Sequence, residues 1–281
     1  MLKMRAFFAS ALFLCAAVAP ALADPVDLSA TLSVNFLTGY HVEAGTRYRV
    51  AEAPLPIGAA DARYRRIALH LEALPPVTFG YSGNPADIQS TRLSLVTATV
   101  RYFVHGGTYV GAGTTVYNQN TDRGTQDTPP IVRSEDDSSR VAGARFEIGD
   151  SRRLAARTTL ETVFSLAPAM HGLEDDQHTT SIVPGPPYPT STTSCEDSNV
   201  YGYIECIVRG PAYRGLPERA SQIDTSATLV RRFRHGSLIA GVRYLNYSAA
   251  YALAGSRDNK APADRNAGFM PLIAYRWEAL R

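Results

Sequence analysis

Charged residues recur on one side of an otherwise apolar period-two pattern in this chain, and few folds accept that arrangement. In LAARTTLETVFSL, residues 154–166, the even positions Leu154, Ala156, Thr158, Leu160, Thr162, Phe164 and Leu166 carry no charge. The odd positions include Arg157, Thr159, Glu161 and Ser165. A repeat of two is that of a β-strand, whose successive side chains point to opposite faces. The pattern returns in DLSATLSVNFLTGY, where Leu28, Ala30, Leu32, Val34 and Phe36 alternate with Ser29, Thr31, Ser33 and Asn35.

Further strands follow the same rule. Ile67, Leu69, Leu71, Val77 and Phe79 oppose Arg66, His70, Glu72 and Thr78; Val96, Ala98, Val100, Tyr102 and Val104 oppose Thr97, Thr99 and Arg101. Val110, Ala112, Thr114 and Val116 oppose Gly111 and Gly113, and Ala142, Ala144, Phe146 and Ile148 oppose Gly143, Arg145 and Glu147. Ile223 to Leu229, Leu238 to Tyr244 and Phe269 to Trp277 complete the set, with Asp224, Arg243 and Arg276 on their polar sides. The weaker segment Thr46-Arg47-Tyr48-Arg49-Val50 makes ten strands; without it the count is eight.

Connections alternate between short and long. Tight turns are expected at His105-Gly106-Gly107, Gly149-Asp150 and Arg234-His235-Gly236, with residues 54–62 as the first turn at that end. Long polar connections are expected at 82–90 and, longer still, at 118–139, 168–221 and 249–267. This rhythm fits antiparallel strands running up and down, with one end presented to the outside.

The first residues set the compartment. Lys3 and Arg5 precede the apolar run Ala6 to Val18, and Ala21-Leu22-Ala23 forms an A-x-A site before Asp24, so residues 1–23 read as a secretory signal peptide and 24–281 as the mature domain. Without Lys3 and Arg5 the 28 basic residues fall to 26, equal to the 26 acids. That balance disfavours nucleic acid, which demands a basic excess. No apolar stretch of about 20 residues remains for a membrane helix. Cys195 and Cys206, an even pair in an exported chain, point to a disulfide across one surface loop; no metal or cofactor is expected.

Alternation alone also fits a soluble β-sandwich, with its apolar faces in a dry core. Three features favour a barrel that turns its apolar face to lipid: faces of moderate Ala, Thr, Val and Leu with aromatics such as Phe36, Tyr244 and Trp277 toward the ends; tight turns opposite long loops; and glycines on the polar side, where a narrow lumen holds long Arg side chains. The expected fold is an all-β, transmembrane, antiparallel up-and-down barrel of ten strands in the bacterial outer membrane. The signal peptide, the hairpin and loop rhythm, and the closing LIAYRWEALR resemble small outer-membrane barrels of the OmpA-like and opacity-protein kind. That resemblance implies a monomeric surface protein with a structural or adhesive role.

The polar parity assigns a lumen charge network of Arg66, His70, Glu72, Arg101, Arg145, Glu147, Arg157, Glu161, Asp224, Arg243 and Arg276. Such charges must pair or be wetted. Paired, they form a plug, since a barrel of this size is about filled by its own side chains; wetted, they line a narrow pore whose Arg excess favours anions. Outward Arg92 and Arg140, at the outer strand ends, are candidates for lipopolysaccharide phosphates. The loop SIVPGPPYPTSTTSCEDSNVYGYIECIVRG presents Tyr201, Tyr203 and Ile204 as a contact surface for a surface ligand or host partner, or folds over the mouth as a lid. Glu135-Asp136-Asp137, and Glu174-Asp175-Asp176 between His171 and His178, raise a rim hydrolase as a further alternative. The omptin proteases resemble the chain there, but their paired-Asp motif has no match, since residues 81–87 supply Asp87 alone.

Overall fold

A computed structural model describes residues 26–43, 46–50, 53–82, 87–126, 131–182, 193–198, 203–251 and 264–278. Residues 1–23, read above as a signal peptide, lie outside these residues, as does Tyr201. The described residues form β-strands and turns: β1 (Asp27–Glu43), β2 (Thr46–Val50), β3 (Ala53–Tyr64), β4 (Ile67–Ser82), β5 (Asp87–His105), β6 (Thr108–Gln126), β7 (Ile131–Ala155), β8 (Thr158–Ile182), β9 (Thr193–Ser198), β10 (Tyr203–Phe233), β11 (Gly236–Tyr251) and β12 (Asp264–Glu278).

Neighbouring strands pair antiparallel, and β12 returns to β1 from Ser29↔Glu278 to Val42↔Arg265, which closes the sheet. β2 and β3 are two parts of one wall position, each pairing with β1 and β4. β9 is an added strand on the outer extension of β10. The wall therefore has ten positions, the expected number. Closure leaves no free edge, which is the condition for a sheet in hydrocarbon.

Side chains face as the alternation requires over most of the wall. Val100, Phe146, Ile148, Phe269 and Ile273 are more than half exposed, an extensive apolar outer surface. Arg145, Glu147, Asp224 and Arg243 are buried inside. Apolar outside and charged inside is the inversion that lipid imposes, and it identifies an outer-membrane barrel.

Several boundaries differ from the sequence expectation. Residues 54–62 are not a turn but the body of β3; the turn is Arg65-Arg66, and Arg65 takes a left-handed φ of 54°. Pro54 and Pro56 interrupt the local strand signal, yet pairing with β1 holds the segment extended. Likewise Gly149-Asp150 lies within β7, and the chain reverses at Ala156-Arg157. The stretch 154–166 is thus a hairpin end plus the start of β8, the seventh wall position. A two-residue turn preserves a period of two, so alternation runs through it unmarked.

Farther out, the expected loops 118–139 and 168–221 are largely paired strand. The β6–β7 ladder continues to Gln126↔Val132, and β7–β8 to Ile131↔Ile182. On β4 a bulge between Leu74 and Val77, at Pro75-Pro76, inverts the facing. Val77 packs against the interior, not lipid as its parity predicted.

Candidate functional site

The lumen contains two layers. Nearer the tight turns, eight side chains form one continuous chain of ion pairs in which acid and base alternate. His70 Nδ1 lies 2.8 Å from Asp61 Oδ1, which is 3.1 Å from Arg101 Nη1. Arg101 Nε donates to Glu147 Oε1 at 2.7 Å; Glu147 Oε2 is 3.6 Å from Arg145 Nη2, which donates to Asp224 Oδ2 at 3.1 Å. Arg243 then donates to Asp224 Oδ2 at 2.6 Å and to Glu72 Oε1 at 2.7 Å. Arg276 and Glu161 form a separate two-bond pair at 3.0 and 2.9 Å.

These groups come from inward positions of the two-residue repeat on β3, β4, β5, β7, β8, β10, β11 and β12, and closure of the wall brings them together. Low dielectric makes each pair strong, and an unpaired charge there would be prohibitive. Tyr109 adds a hydrogen bond to Glu147 Oε1 at 2.9 Å, and Ser165 accepts from Arg145. Below the chain a cavity of about 400 Å³ opens between the strand ends, lined by Asp27, Arg63, Arg101, Phe103, Tyr109 and Arg276 among others.

Nine of the eleven residues assigned to the lumen network take part. Arg66 and Arg157 do not: both sit exposed in tight turns, because the strands end where sequence parity carried them on. Asp61 was missed, since it fell in the segment read as a turn. Its signal was the alternation of Leu55, Ile57, Ala59, Asp61 and Arg63 across β3. With these corrections the eight-membered chain has four carboxylates and three arginines beside His70. The expected Arg excess is absent from it, and with it the ground for anion preference.

The second layer was not expected at all. Toward the outer side the inward positions turn apolar: Leu55, Leu74, Leu93, Leu95, Met170 and Met270 pack into one buried cluster. Tyr117 and Tyr247 stack across it with ring centroids 3.9 Å apart. Above them Tyr247 donates to Glu218 Oε1 at 3.1 Å, Ser139 to Glu218 Oε2 at 2.5 Å, and Asn266 to Gln119 at 2.9 Å. A hint of this layer lay in Leu93, Leu95 and Val96: where apolar residues stand next to each other in a strand, both of its faces are apolar.

At the outer edge of the lipid-facing band, Arg92 and Arg140 are exposed as expected. Asn120 on β6 pairs with Arg92, and Asn118 with Arg140, so one strand of outward amides separates the two guanidinium groups. Beyond them Cys195 on β9 stands directly opposite Cys206 on β10. Tyr203 and Ile204 begin β10, paired with Ser198 and Asp197. Register also sets Glu135 opposite His178 and Asp137 opposite Asp176, bringing the acidic runs of β7 and β8 side by side. The side chains of Tyr203, Ile204, both cysteines and most of these acids lie outside the described residues.

No family model and no curated protein matches the chain. Among solved structures it is similar to the outer membrane protease OmpT of Escherichia coli, at 10% identity over 90% of this chain and 96% of that one, with a TM-score of 0.49. The CymD monoaromatic hydrocarbon channel is 12% identical over 91% and 89%, with a TM-score of 0.39. The translocator domain of the autotransporter NalP from Neisseria meningitidis is 9% identical over 98% and 97%, at 0.43.

Proposed function

We propose that this barrel is a plugged membrane anchor whose working surface is its outer ribbon. One observation carries the reading: the lumen is filled twice over, by an ion-pair chain and by an apolar layer under a stacked tyrosine pair. A solute crossing it would have to break paired charges and then displace packed hydrocarbon. The outer extension supports the other half. β7 starts at Ile131, nine residues before Arg140, which at about 3.3 Å per residue places strand some 30 Å beyond the arginine. Expressing so long a paired ribbon outside the bilayer fits contact with a surface ligand or host partner.

Planar-bilayer recording of the purified, refolded chain tests the plug. The expected trace shows no stable unit conductance; a steady, sizeable step would reinstate the narrow pore. Adherence to a cultured-cell layer tests the ribbon, comparing cells that display the full chain with cells in which residues 183–202 are replaced by a short Gly-Ser link. Equal adherence by both would refute the surface-contact role of that loop.

A further inference from the structure

The tight-turn end of the barrel is unevenly charged. Residues 151–160, SRRLAARTTL, and 230–238, VRRFRHGSL, form the β7–β8 and β10–β11 hairpin ends, and together they carry six arginines and no acid. Because β8 pairs with β10, the two hairpins are neighbours. Thr158 stands opposite Arg231, and the Arg232 amide donates to the Arg157 carbonyl at 2.9 Å. By contrast the β5–β6 turn, His105-Gly106-Gly107, has no arginine.

Strand parity sorts the six. Two are engaged within the protein: Arg153 donates to the Ala155 and Ala156 carbonyls of its own turn, and Arg232 pairs with Glu278 at 3.2 Å. Arg152 and Arg231 occupy outward positions. Arg152 is the ladder partner of Leu160, and Arg231 lies two residues beyond Leu229, which faces Leu160 from the other side. Neighbouring strands are about 4.8 Å apart, so the two arginines flank the first outward residues of β8, Thr158 and Leu160, at about 10 Å across the wall. Asp150 accepts from Arg152 Nε at 2.6 Å, while the Arg152 side chain remains 79% exposed. Arg231 lies against the Phe233 ring; among the described residues no acid pairs with it, nor with Arg157 and Arg234 at the two tips.

The surroundings of these cations are apolar. Leu154 is 59% exposed and Phe233 49%, and Leu229 and Phe164 continue the outward surface above them. Arginines interleaved with exposed hydrocarbon suit the headgroup level, where charge meets phosphate and the apolar side chains meet acyl chains. The short turns of outer-membrane barrels face the periplasm, so this level belongs to the inner leaflet. A soluble polyanion would engage the arginines but leave Leu154 and Phe233 in water.

We propose that the outward cleft between Arg152 and Arg231 binds an anionic phospholipid of the inner leaflet. The lipid phosphate takes hydrogen bonds from both guanidinium groups over Thr158, and its acyl chains run along Leu160 and Phe164. Arg157 and Arg234 raise the positive potential from the tips. A zwitterionic lipid also offers a phosphate, but its ammonium group adds a cation where positive charge is already in excess, so the cleft selects headgroups of net negative charge.

Tryptophan quenching by brominated lipid tests the site. Trp277 is the single tryptophan of the chain, so F164W/W277F moves the reporter to the lipid face of β8 above the cleft, and V34W/W277F moves it to β1, three wall positions from β10. Each full chain is refolded into mixed vesicles of phosphatidylcholine and phosphatidylglycerol, with one lipid or the other brominated on its acyl chains. At the β8 reporter phosphatidylglycerol is expected to bind at least about fivefold more strongly than phosphatidylcholine, the Boltzmann factor of one arginine near an anionic surface. At β1 the preference should be smaller. Adding R152Q/R231Q to the β8 reporter should remove the preference, whereas R65Q/R66Q, which neutralises two turn arginines away from the cleft, should leave it. R231Q alone serves if the double variant does not give the heat-modifiable folded form. No preference at β8, an equal one at β1, or its survival in the folded Arg231 variant overturns the proposal. Equal loss in R65Q/R66Q would replace the cleft by diffuse basic charge. Retention of the chain by purified peptidoglycan, without any lipid preference, would assign the arginines to the cell-wall polymer instead.

Discussion

Arg243 Nη2 lies 2.7 Å from Glu72 Oε1, joining β11 to β4 across the lumen between residues 171 apart in sequence. The same guanidinium holds Asp224 of the adjacent strand β10 at 2.6 Å. One side chain thereby ties together three wall positions. Removing it takes from Glu72 its arginine and leaves Asp224 with Arg145 alone, so R243M is expected to destabilise the barrel by about 3–5 kcal/mol. Urea titration, read as loss of the compact form in unheated gel samples, measures this. A change below about 1 kcal/mol would show that the chain of pairs does not hold the wall.

Asp61 and Arg66 separate the observed lumen from the one read from parity. Asp61 accepts from Arg101 and lies 2.8 Å from His70, whereas Arg66 is exposed in its turn. D61A is expected to cost several kcal/mol by removing one of Arg101's two carboxylates and the partner of His70, while R66A and R157A stay within about 0.5 kcal/mol of the parent in the same titration. Comparable losses in all three would place the turn arginines back inside.

Gly113 faces Thr99 so closely that an added Cβ would meet the Ala98 carbonyl oxygen, which is fixed backbone. At Gly111 the nearest atom to an added Cβ is the Thr99 methyl, at 2.9 Å, a side chain with some freedom to give. G113V should therefore fail to yield the heat-modifiable folded form, and G111A should retain it. Folding of G113V with parent stability would contradict the close approach.

Cys195 and Cys206 stand directly opposite in the β9–β10 ladder. Facing residues of antiparallel strands have Cα atoms about 4.5–5.5 Å apart, within the span a disulfide bridges. Protein isolated without reductant is expected to resist alkylation at both, with reaction only after reduction. Two freely alkylated thiols would remove the staple from the account.

Arg92 and Arg140 flank Asn118 and Asn120 at the top of the lipid band. Paired guanidinium groups at that level suit the phosphates of lipopolysaccharide, since Arg binds phosphate through two parallel hydrogen bonds. R92A/R140A is expected to unfold at the parent's urea midpoint in phosphatidylcholine and to lose the parent's added stability in lipopolysaccharide-containing vesicles. An unchanged lipopolysaccharide effect would reduce both residues to side chains that only reach for water.

Much of the barrel was legible in the sequence because the strand repeat is local. Ile273 and Trp277 face out and Arg276 faces in for the same reason: adjacent Cβ atoms alternate. Legibility failed where a neighbour decides. The Pro75-Pro76 bulge flips Val77 inward, and the two-residue turn at Ala156-Arg157 preserves parity while ending the strand. The outer loops read as irregular because their residues are polar, yet pairing outside the bilayer needs no apolar face. The apolar upper lumen was hidden for the opposite reason, its leucines resembling lipid-facing ones except where Leu95 stands beside Val96 and makes both faces apolar.

By itself, then, the sequence determined strands with one apolar and one charged face, and its aromatic strand ends, tight turns opposite long connections and polar-side glycines favoured a closed, lipid-facing sheet over a sandwich. Which charge meets which was decided by the tertiary structure alone. Asp61 reaches Arg101, and Glu72 reaches Arg243, only after β12 closes on β1 with a particular stagger. Ladder register and wall curvature, not local repeat, set those distances.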